Sequence, residues 1–185
     1  MTSALEGRSI VVTGSGRGIG AEVAKLIGSQ GANVIVNDPG VNVDGSGTDS
    51  APAEQVAQEI RDAGGTASAN FDSVATADGG ESMITQCVDE FGRIDGVVHV
   101  AGILRDRMVF NMTEEEWDDV VAVHLTGLFN VVKPASILFR QQRFGRIVGF
   151  SIFVFVFSLL MIRSLLMMIS SSVMMGLISL ILMFL

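Results

Sequence analysis

The segment from Ser9 to Gly31 constrains the fold more than any other part of this chain. Ser9–Gly14 (SIVVTG) is a short apolar run that ends in glycine, which is typical of a buried parallel strand. Gly18–Gly31 follows with apolar residues at helical spacing and a closing glycine. A strand, a glycine-rich turn and a helix in this order predict the first unit of a doubly wound sheet.

The alternation of strand and helix continues to about residue 150. Further strands are predicted at 32–38, 66–72, 93–102 and from 145 onward, and further helices at 51–65, 80–91 and 112–139. The last helix opens with Thr113 and Glu116 at capping-box spacing. Short links between alternating elements imply parallel strands with helices on both faces. We therefore expect an α/β fold, a Rossmann-like doubly wound parallel sheet that is truncated after about strand five.

The composition changes abruptly between Gly149 and Ile152. All 20 Asp and Glu residues lie at or before Asp119, whereas residues 152–185 carry one charge, on Arg163. We therefore divide the chain into a Rossmann-like domain at 1–149 and an atypical apolar C-terminal segment at 150–185.

Three interpretations of the apolar segment stay open. Residues 164–185 form an uncharged run of 22 residues, long enough for a membrane anchor with Arg163 at the interface. The segment could instead pack against the domain, although its weak amphipathic pattern disfavours an outer helix. A shifted reading frame would explain why the pattern stops inside a strand and gives way to a low-variety mixture of Ser, Leu, Ile, Met, Phe and Val.

The overall composition argues against several classes of function. With 12 Lys and Arg against 20 Asp and Glu, the net charge is −8, and no basic stripe exists to bind nucleic acid. A lone Cys87, expected to be a buried helix residue, gives no disulfide and suits the cytoplasm. Membrane association through 164–185 is the alternative location. His99 and His124 lie on different predicted elements without partners at metal-ligand spacing, so no metal site is expected.

The glycine-rich turn has the context of a dinucleotide-binding loop, because it joins a strand to a helix. Gly14 would allow the tight turn, and Gly18 and Gly20 would let backbone approach a pyrophosphate and let the helix pack on the strand. The pyrophosphate would lie at the positive end of the helix dipole. The candidate cofactor-binding residues of this loop are Gly14, Ser15, Gly16, Arg17, Gly18, Ile19 and Gly20.

Asp38 ends the second predicted strand, 18 positions beyond Gly20. A carboxylate there can accept hydrogen bonds from the adenosine ribose hydroxyls and would repel a 2′-phosphate, which favours NAD over NADP. Arg17 leaves room for NADP, and simple turn chemistry before Pro39 is an alternative explanation of Asp38.

These residues resemble the short-chain dehydrogenase/reductase family, whose loop pattern TGxxxGxG matches residues 13–20 in full. The resemblance implies that Asp72, with Ser73 beside it, contacts the adenine. The family's Asn-Asn-Ala-Gly motif stands here as His-Val-Ala-Gly and ends in Ala101 and Gly102, which become further candidate cofactor residues. Many members carry an active-site Asn at the position of His124, which is therefore a candidate catalytic residue.

The stretches 36–38, 69–74 and 101–107 resemble the (3R)-hydroxyacyl-CoA dehydrogenase module of multifunctional β-oxidation enzymes. This resemblance implies hydride transfer between a nicotinamide cofactor and a secondary alcohol or ketone, with a 3-hydroxyacyl thioester as one substrate class. It also implies a homo-oligomer where the fold is complete.

The family's chemistry needs a Tyr, a Lys one helical turn later, and a Ser about thirteen residues before the Tyr. Ser151 is the candidate for that Ser. The chain contains no Tyr, and its last Lys is Lys133. The sequence therefore predicts an NAD-dependent oxidoreductase by descent with negligible turnover as written. The alternative is a non-catalytic NAD-binding module, tethered to a membrane if the apolar segment is an anchor.

Overall fold

The structure, a computed structural model, describes residues 3–40 and 51–150, which belong to a unit that runs from residue 1 to 150. The described strands form one parallel sheet in the order β3-β2-β1-β4-β5. The strands are β1 (Ser9–Thr13), β2 (Asn33–Asn37), β3 (Thr66–Asn70), β4 (Gly96–His99) and β5 (Arg146–Gly149). The α-helices are α1 (Gly18–Ser29), α2 (Ala51–Asp62), α3 (Ala77–Phe91), α4 (Glu114–Val121) and α5 (Gly127–Gln142). The predicted Rossmann-like parallel sheet is confirmed.

Strand β1 lies at the centre of the sheet, and all five of its residues are buried. Val11 pairs with Ile35 of β2 and with Val97 of β4. Successive side chains of a strand point to opposite faces, so each strand supplies two cores. Val12 contributes to the core under α1 and α2, whereas Val11 contributes to the core under α3 and α5.

The predicted helix at 112–139 forms as one continuous helical stretch, Glu114–Gln142, that contains a π-helical turn. Thr113 caps α4 by a complete capping box with Glu116, as the sequence indicated. A π-helical turn at Ala122–Thr126 then separates α4 from α5. The sequence periodicity does not predict this turn, because each of its residues would also be accommodated in an ordinary α-helix. The turn matters for the site because it carries His124.

The amino end of the sheet is held by a buried carboxylate. The side chain of Asp95, 2% exposed, pairs with Arg8 on one side and Arg93 on the other. It also accepts a hydrogen bond from the backbone N–H of Ser9. Burial opposes ionisation of this carboxyl, but the hydrogen bonds from Arg93, Ser9 and Arg8 outweigh it, and the pKa lies below its ordinary value.

Cys87 is buried in the core under α3, as predicted, and its Sγ lies 3.5 Å from the carbonyl oxygen of Arg93. Burial raises the pKa of the thiol to about 12, with help from the charges of Asp95 and Glu90. The thiolate is the reactive form, so this cysteine is unreactive at neutral pH.

The predictions for the apolar segment, including Ser151 and a membrane anchor at 164–185, fall on residues outside the described ranges. Within those ranges, one continuous helical stretch, Glu114–Gln142, is long and apolar enough to cross a membrane by length and composition alone. That is weak evidence, because core helices of ordinary domains pass the same test.

Candidate cofactor site

The carboxyl ends of β1, β2, β3 and β4 meet at one edge of the sheet, and the predicted cofactor residues gather there. The glycine loop leaves β1, Asp38 follows β2, Asp72 and Ser73 follow β3, and Ala101 and Gly102 follow β4. Ligands of open parallel sheets bind in the crevice outside this edge. The topology therefore brings together residues that are up to 88 positions apart in the sequence.

Gly14 is required by both its conformation and its surroundings. Its φ is +64°, and a Cβ atom there would lie 2.6 Å from Cα and 2.7 Å from the backbone nitrogen of Ala101. The loop from β1 and the exit of β4 therefore touch backbone to backbone. Gly20, in the first turn of α1, is required by its surroundings, because a Cβ there would overlap the carbonyl of Gly14.

Ser15 shapes the loop from within. Its backbone N–H donates to the carbonyl of Asn37 (2.9 Å), and its hydroxyl donates to the carbonyl of Val12 (2.7 Å). Ser15 is fully buried. Both of its donors are used inside the protein, so Ser15 fixes the path of the loop without offering a donor to a phosphate.

The amino end of α1 is the exposed part of the loop. Arg17, the N-cap, has extended backbone (φ −149°, ψ 165°), and its side chain makes no capping hydrogen bond. Arg17, Gly18 and Ile19 are all exposed. The first N–H groups of a helix lack carbonyl partners within the helix and carry the positive end of its dipole. This end of α1 therefore suits an anion.

Asp38 is fixed against the glycine loop. Its Oδ2 accepts from the backbone N–H of Gly16 (3.0 Å), and its Oδ1 accepts from that of Gly40 (2.8 Å). A Cβ at Gly16 would lie 2.8 Å from that Oδ2. A carboxylate oxygen can accept more than one hydrogen bond, so both oxygens keep acceptor capacity. The carboxylate is half-buried, held in one orientation, and can still bind hydroxyl groups.

Side-chain amides, which the sequence did not single out, join the ends of β2 and β3. Asn37 donates to Asn70 Oδ1 (2.7 Å) and to the carbonyl of Asp72 (2.9 Å). Asn70 in turn donates to Asp72 Oδ2 (3.0 Å). A signal for this network was present, because both Asn residues are the last residues of neighbouring strands. Ser73 lies beside it, exposed, and its Oγ accepts from the N–H of Ala75 (3.2 Å).

His99 links the ends of β1 and β4. Its Nδ1 lies 3.0 Å from Thr13 Oγ1, and the same oxygen accepts from the N–H of Ala101 (3.3 Å). Burial, and then the charge of His124, lower the pKa of His99 to about 4. The imidazole is therefore neutral at pH 7 and serves as a buried hydrogen-bonding group of the loop.

His124 packs on the exit of β4. Its ring covers Gly102, where a Cβ would lie 2.8 Å from Nε2. The same Nε2 lies 3.0 Å from the carbonyl oxygen and 3.2 Å from the nitrogen of Ile103. The structure thus brings His124 to the site edge beside Gly102. Among the described residues, no group of three His, Cys, Asp or Glu is placed to hold a metal ion.

The fold and this edge can be compared with known proteins. A family model described as short chain dehydrogenase matches residues 8–152. The chain is 50% identical over 144 residues to a Mycobacterium tuberculosis protein described as a short-chain type dehydrogenase/reductase, covering 78% of this chain and 50% of that protein. It is 43% identical over 144 residues to a peroxisomal hydratase-dehydrogenase-epimerase of Neurospora crassa, covering 78% of this chain and 16% of that enzyme.

Among solved structures, a crystal structure of a short chain dehydrogenase from Mycobacterium avium matches with a TM-score of 0.71 and 41% identity. The match covers 78% of this chain and 54% of that one. The chain thus spans about half the length of these two bacterial relatives and a smaller share of the peroxisomal enzyme. With a family match over most of its residues, this chain belongs to the short-chain dehydrogenase family.

Proposed function

We propose that this chain binds a nicotinamide dinucleotide at the carboxyl edge of its sheet, with NAD preferred over NADP. Proteins of this family use such a cofactor. The observation that carries the proposal is the hydrogen bond from the Gly16 N–H to Asp38 Oδ2 (3.0 Å). It joins the loop suited to a pyrophosphate to the carboxylate suited to a ribose, in one fixed geometry.

The residues fit the parts of a dinucleotide. The exposed backbone at Gly18 and Ile19, with the Arg17 side chain, would hold the pyrophosphate at the positive end of α1. Gly14, Ser15, Gly16 and Gly20 would shape the loop. Asp38 would accept the adenosine ribose hydroxyls, Asp72 and Ser73 would contact the adenine, and Ala101 and Gly102 would line the path toward the nicotinamide.

The way Asp38 is held supports the proposed preference for NAD. Two backbone N–H groups fix its carboxylate, so it cannot easily turn away from a 2′-phosphate. A fixed negative charge a few ångströms from a phosphate disfavours NADP. Arg17 is the opposing charge, but it is exposed and screened by solvent.

The reaction class follows from the family and from the peroxisomal relative. The nicotinamide, when bound, supplies or accepts a hydride at a secondary alcohol or ketone carbon, and a 3-hydroxyacyl thioester is the substrate class that we propose. Among the residues that the structure describes, His124 is our candidate for a group near the reacting atoms. Ser151, outside the described ranges, is the second candidate.

We further propose that the 185-residue chain binds NAD with negligible turnover. It contains no Tyr, and its last Lys, Lys133, lies on α5 before β5. Loss of a general acid alone reduces the rate on the order of 10²–10⁴-fold. The chain would then act as a non-catalytic NAD-binding module of a dehydrogenase family.

Calorimetric titration of the full chain with NAD and with NADP tests the cofactor proposal. We expect the parent to bind NAD more tightly than NADP. Asp38→Asn should weaken the affinity for NAD about tenfold, because one charge-assisted acceptor is lost, and should reduce the difference in affinity between NAD and NADP. Asp62→Asn, the same change at an exposed position that ends α2, should bind both dinucleotides as the parent does.

Two outcomes would contradict the proposal at different points. A chain that unfolds cooperatively but binds no NAD would rule out the cofactor site. NADH formation above background with a 3-hydroxyacyl-CoA would instead leave the cofactor site intact and overturn the expectation of negligible turnover.

A further inference from the structure

We propose that the free edge of β5 is a docking surface for a second copy of this chain, with the two β5 strands paired antiparallel about a twofold axis. None of the described residues proposed to bind the cofactor lies on β5, so the surface can be tested independently of the proposed function. The two edges of the sheet differ in one respect: side chains cover the edge at β3, whereas the edge at β5 is open.

The edge at β3 is covered by side chains from α2 and α3. The carbonyl of Asn70 accepts from the N–H that follows β2, so the main-chain groups of Asn70 point toward β2. Main-chain groups alternate in direction along a strand, so those of Ala67 and Ala69 point away from the sheet. Arg61 donates to the Ala67 carbonyl (2.9 Å), and Gln86 donates to the Ala69 carbonyl (3.0 Å). Covering an edge in this way protects it against pairing with another strand.

The edge at β5 has no such cover. The N–H groups of Arg146 and Phe150 donate to carbonyl oxygens at the two ends of β4 (3.0 and 2.8 Å). By the same alternation, the N–H and C=O groups of Ile147 and Gly149 point away from the sheet. No other described residue makes a hydrogen bond to these outward groups. The main chain of β5 can therefore pair with a further strand.

The side chains of this edge also favour pairing. Ile147, Val148 and Phe150 are 46%, 55% and 43% exposed. Proteins commonly protect an edge strand with Lys or Pro, and β5, with the sequence RIVG, contains neither. An exposed apolar strand with unpaired main-chain groups is a template for pairing with another chain.

An antiparallel pair of β5 strands has a register that uses both open residues. Residues that exchange main-chain hydrogen bonds lie directly opposite each other, so Ile147 lies opposite Gly149 of the second copy and Gly149 lies opposite Ile147. Each of these two pairs exchanges two hydrogen bonds. The twofold axis then passes between Val148 and its own counterpart, which form a pair without main-chain hydrogen bonds.

The side chains are complementary in this register, which favours a second copy over an unrelated strand. Arg146 lies opposite Phe150 of the second copy, so a cation faces an aromatic ring and like charges do not meet. One face of the Arg146 guanidinium lies over Phe144 of its own chain (5.0 Å), and the other face stays available. Ile147 faces a glycine, which leaves room for its side chain. A twofold pairing uses up both free edges and closes the assembly at a dimer.

Disulfide cross-linking of the full chain tests both the surface and the register. At a pair without main-chain hydrogen bonds the Cα atoms lie about 4.5 Å apart, which a disulfide can span. Val148→Cys should therefore give a covalent dimer on mild oxidation, seen by non-reducing electrophoresis. Ile147→Cys is the matched control, because its counterpart lies two residues along the strand, more than about 7 Å away. The native Cys87 is buried and should not cross-link.

Sedimentation velocity measures the association without a covalent bond. The parent should pass from monomer to dimer as its concentration rises. Val148→Lys places two like charges on the twofold axis and should weaken the dimer about tenfold or more. Leu26→Lys makes the same kind of change at a side chain of α1 that is 62% exposed, and it should associate as the parent does.

Three results would overturn the proposal. Equal cross-linking at positions 147 and 148, or cross-linking at 147 alone, would exclude the register. Association that persists unchanged in Val148→Lys would place the interface on another surface. A parent that stays monomeric up to about 100 µM, far above the micromolar range of weak specific interfaces, would exclude the dimer. Urea denaturation of each variant, with cooperative unfolding as in the parent, confirms that these results do not come from a loss of folding.

Discussion

The two ends of the sheet, at β3 and at β5, differ sharply in how far their strands are buried. On the side of β1, β2 and β3, nearly every strand residue is buried or half-buried, and β1 is fully buried. At the other edge, all four residues of β5 are exposed, with Ile147 at 46% and Val148 at 55%. The residues proposed for the adenosine half of the cofactor lie on the covered side.

This difference shows which part of the site is held in position by the packing of the described strands. Strands packed on both faces fix the carboxyl edge, and the glycine loop, Asp38 and Asp72 depend on that edge for their positions. Near β4 and β5, the site residues are instead positioned by α5 and the π-helical turn with His124. Perturbations on the covered side should therefore affect folding and cofactor binding together, whereas those at β5 should affect them little.

Gly14→Ala should have the largest effect. A left-handed φ of +64° is unfavourable for alanine by about 1–2 kcal/mol, and the overlap with Ala101 adds about 1–3 kcal/mol. We expect the free energy of unfolding to fall by about 3 kcal/mol and NAD binding to be lost. Urea denaturation and calorimetry measure the two quantities on the same sample.

Gly64→Ala is the matched control for that variant. Gly64 follows α2 with a φ of +87°, but a Cβ there would meet nothing within 4 Å. Only the conformational term applies, about 1 kcal/mol, and NAD binding should be unchanged. Equal losses of stability in the two variants would mean that the contact between the loop and β4 is unimportant.

The comparison between strands can be tested by one substitution at two positions. Val11→Ala on β1 removes a fully buried side chain and should lower the free energy of unfolding by about 2–3 kcal/mol. Val148→Ala on β5 removes a side chain that is more than half exposed, and the loss should stay below about 1 kcal/mol. A loss at Val148 as large as that at Val11 would show that β5 is covered as well as β1.

The sequence predicted the parts of the fold that local patterns control. Apolar runs ending in glycine or Asp located the strands to within a few residues, and the capping box located the start of α4. It also nominated Gly14 and Asp38 from their positions at the ends of predicted strands, whereas Asp72 was nominated by the family resemblance. The other inferences need only periodicity, turn chemistry and the handedness rule for parallel connections.

The remainder depends on contacts between distant residues. The buried pair of Thr13 and His99 spans 86 positions, and Asn70 at the end of β3 donates a hydrogen bond to Gln86 on α3. The π-helical turn carries His124, whose ring lies against Gly102, a position without a side chain. Periodicity carries no record of such contacts, so the sequence could nominate His124 by resemblance but not place its ring.

His99 provides a smaller effect than Gly14 or Val11, and this effect depends on pH. Its pKa falls from 6.5 to about 4 on folding, so the unfolded chain binds the proton more readily. Well above pH 6.5, His99 is neutral in both states and does not change the free energy of unfolding. As the pH falls from 6.5 toward 4, the free energy of unfolding decreases progressively. Between pH 7 and 5.5 this one group should lower the free energy of unfolding by about 1 kcal/mol.

His99→Asn, which restores the residue type common in the family, keeps a hydrogen-bonding group next to Thr13 and removes the titration. Urea denaturation at both pH values should therefore show a decrease about 1 kcal/mol smaller in the variant, and parallel losses in the two proteins would show that His99 is not what couples this edge of the sheet to pH.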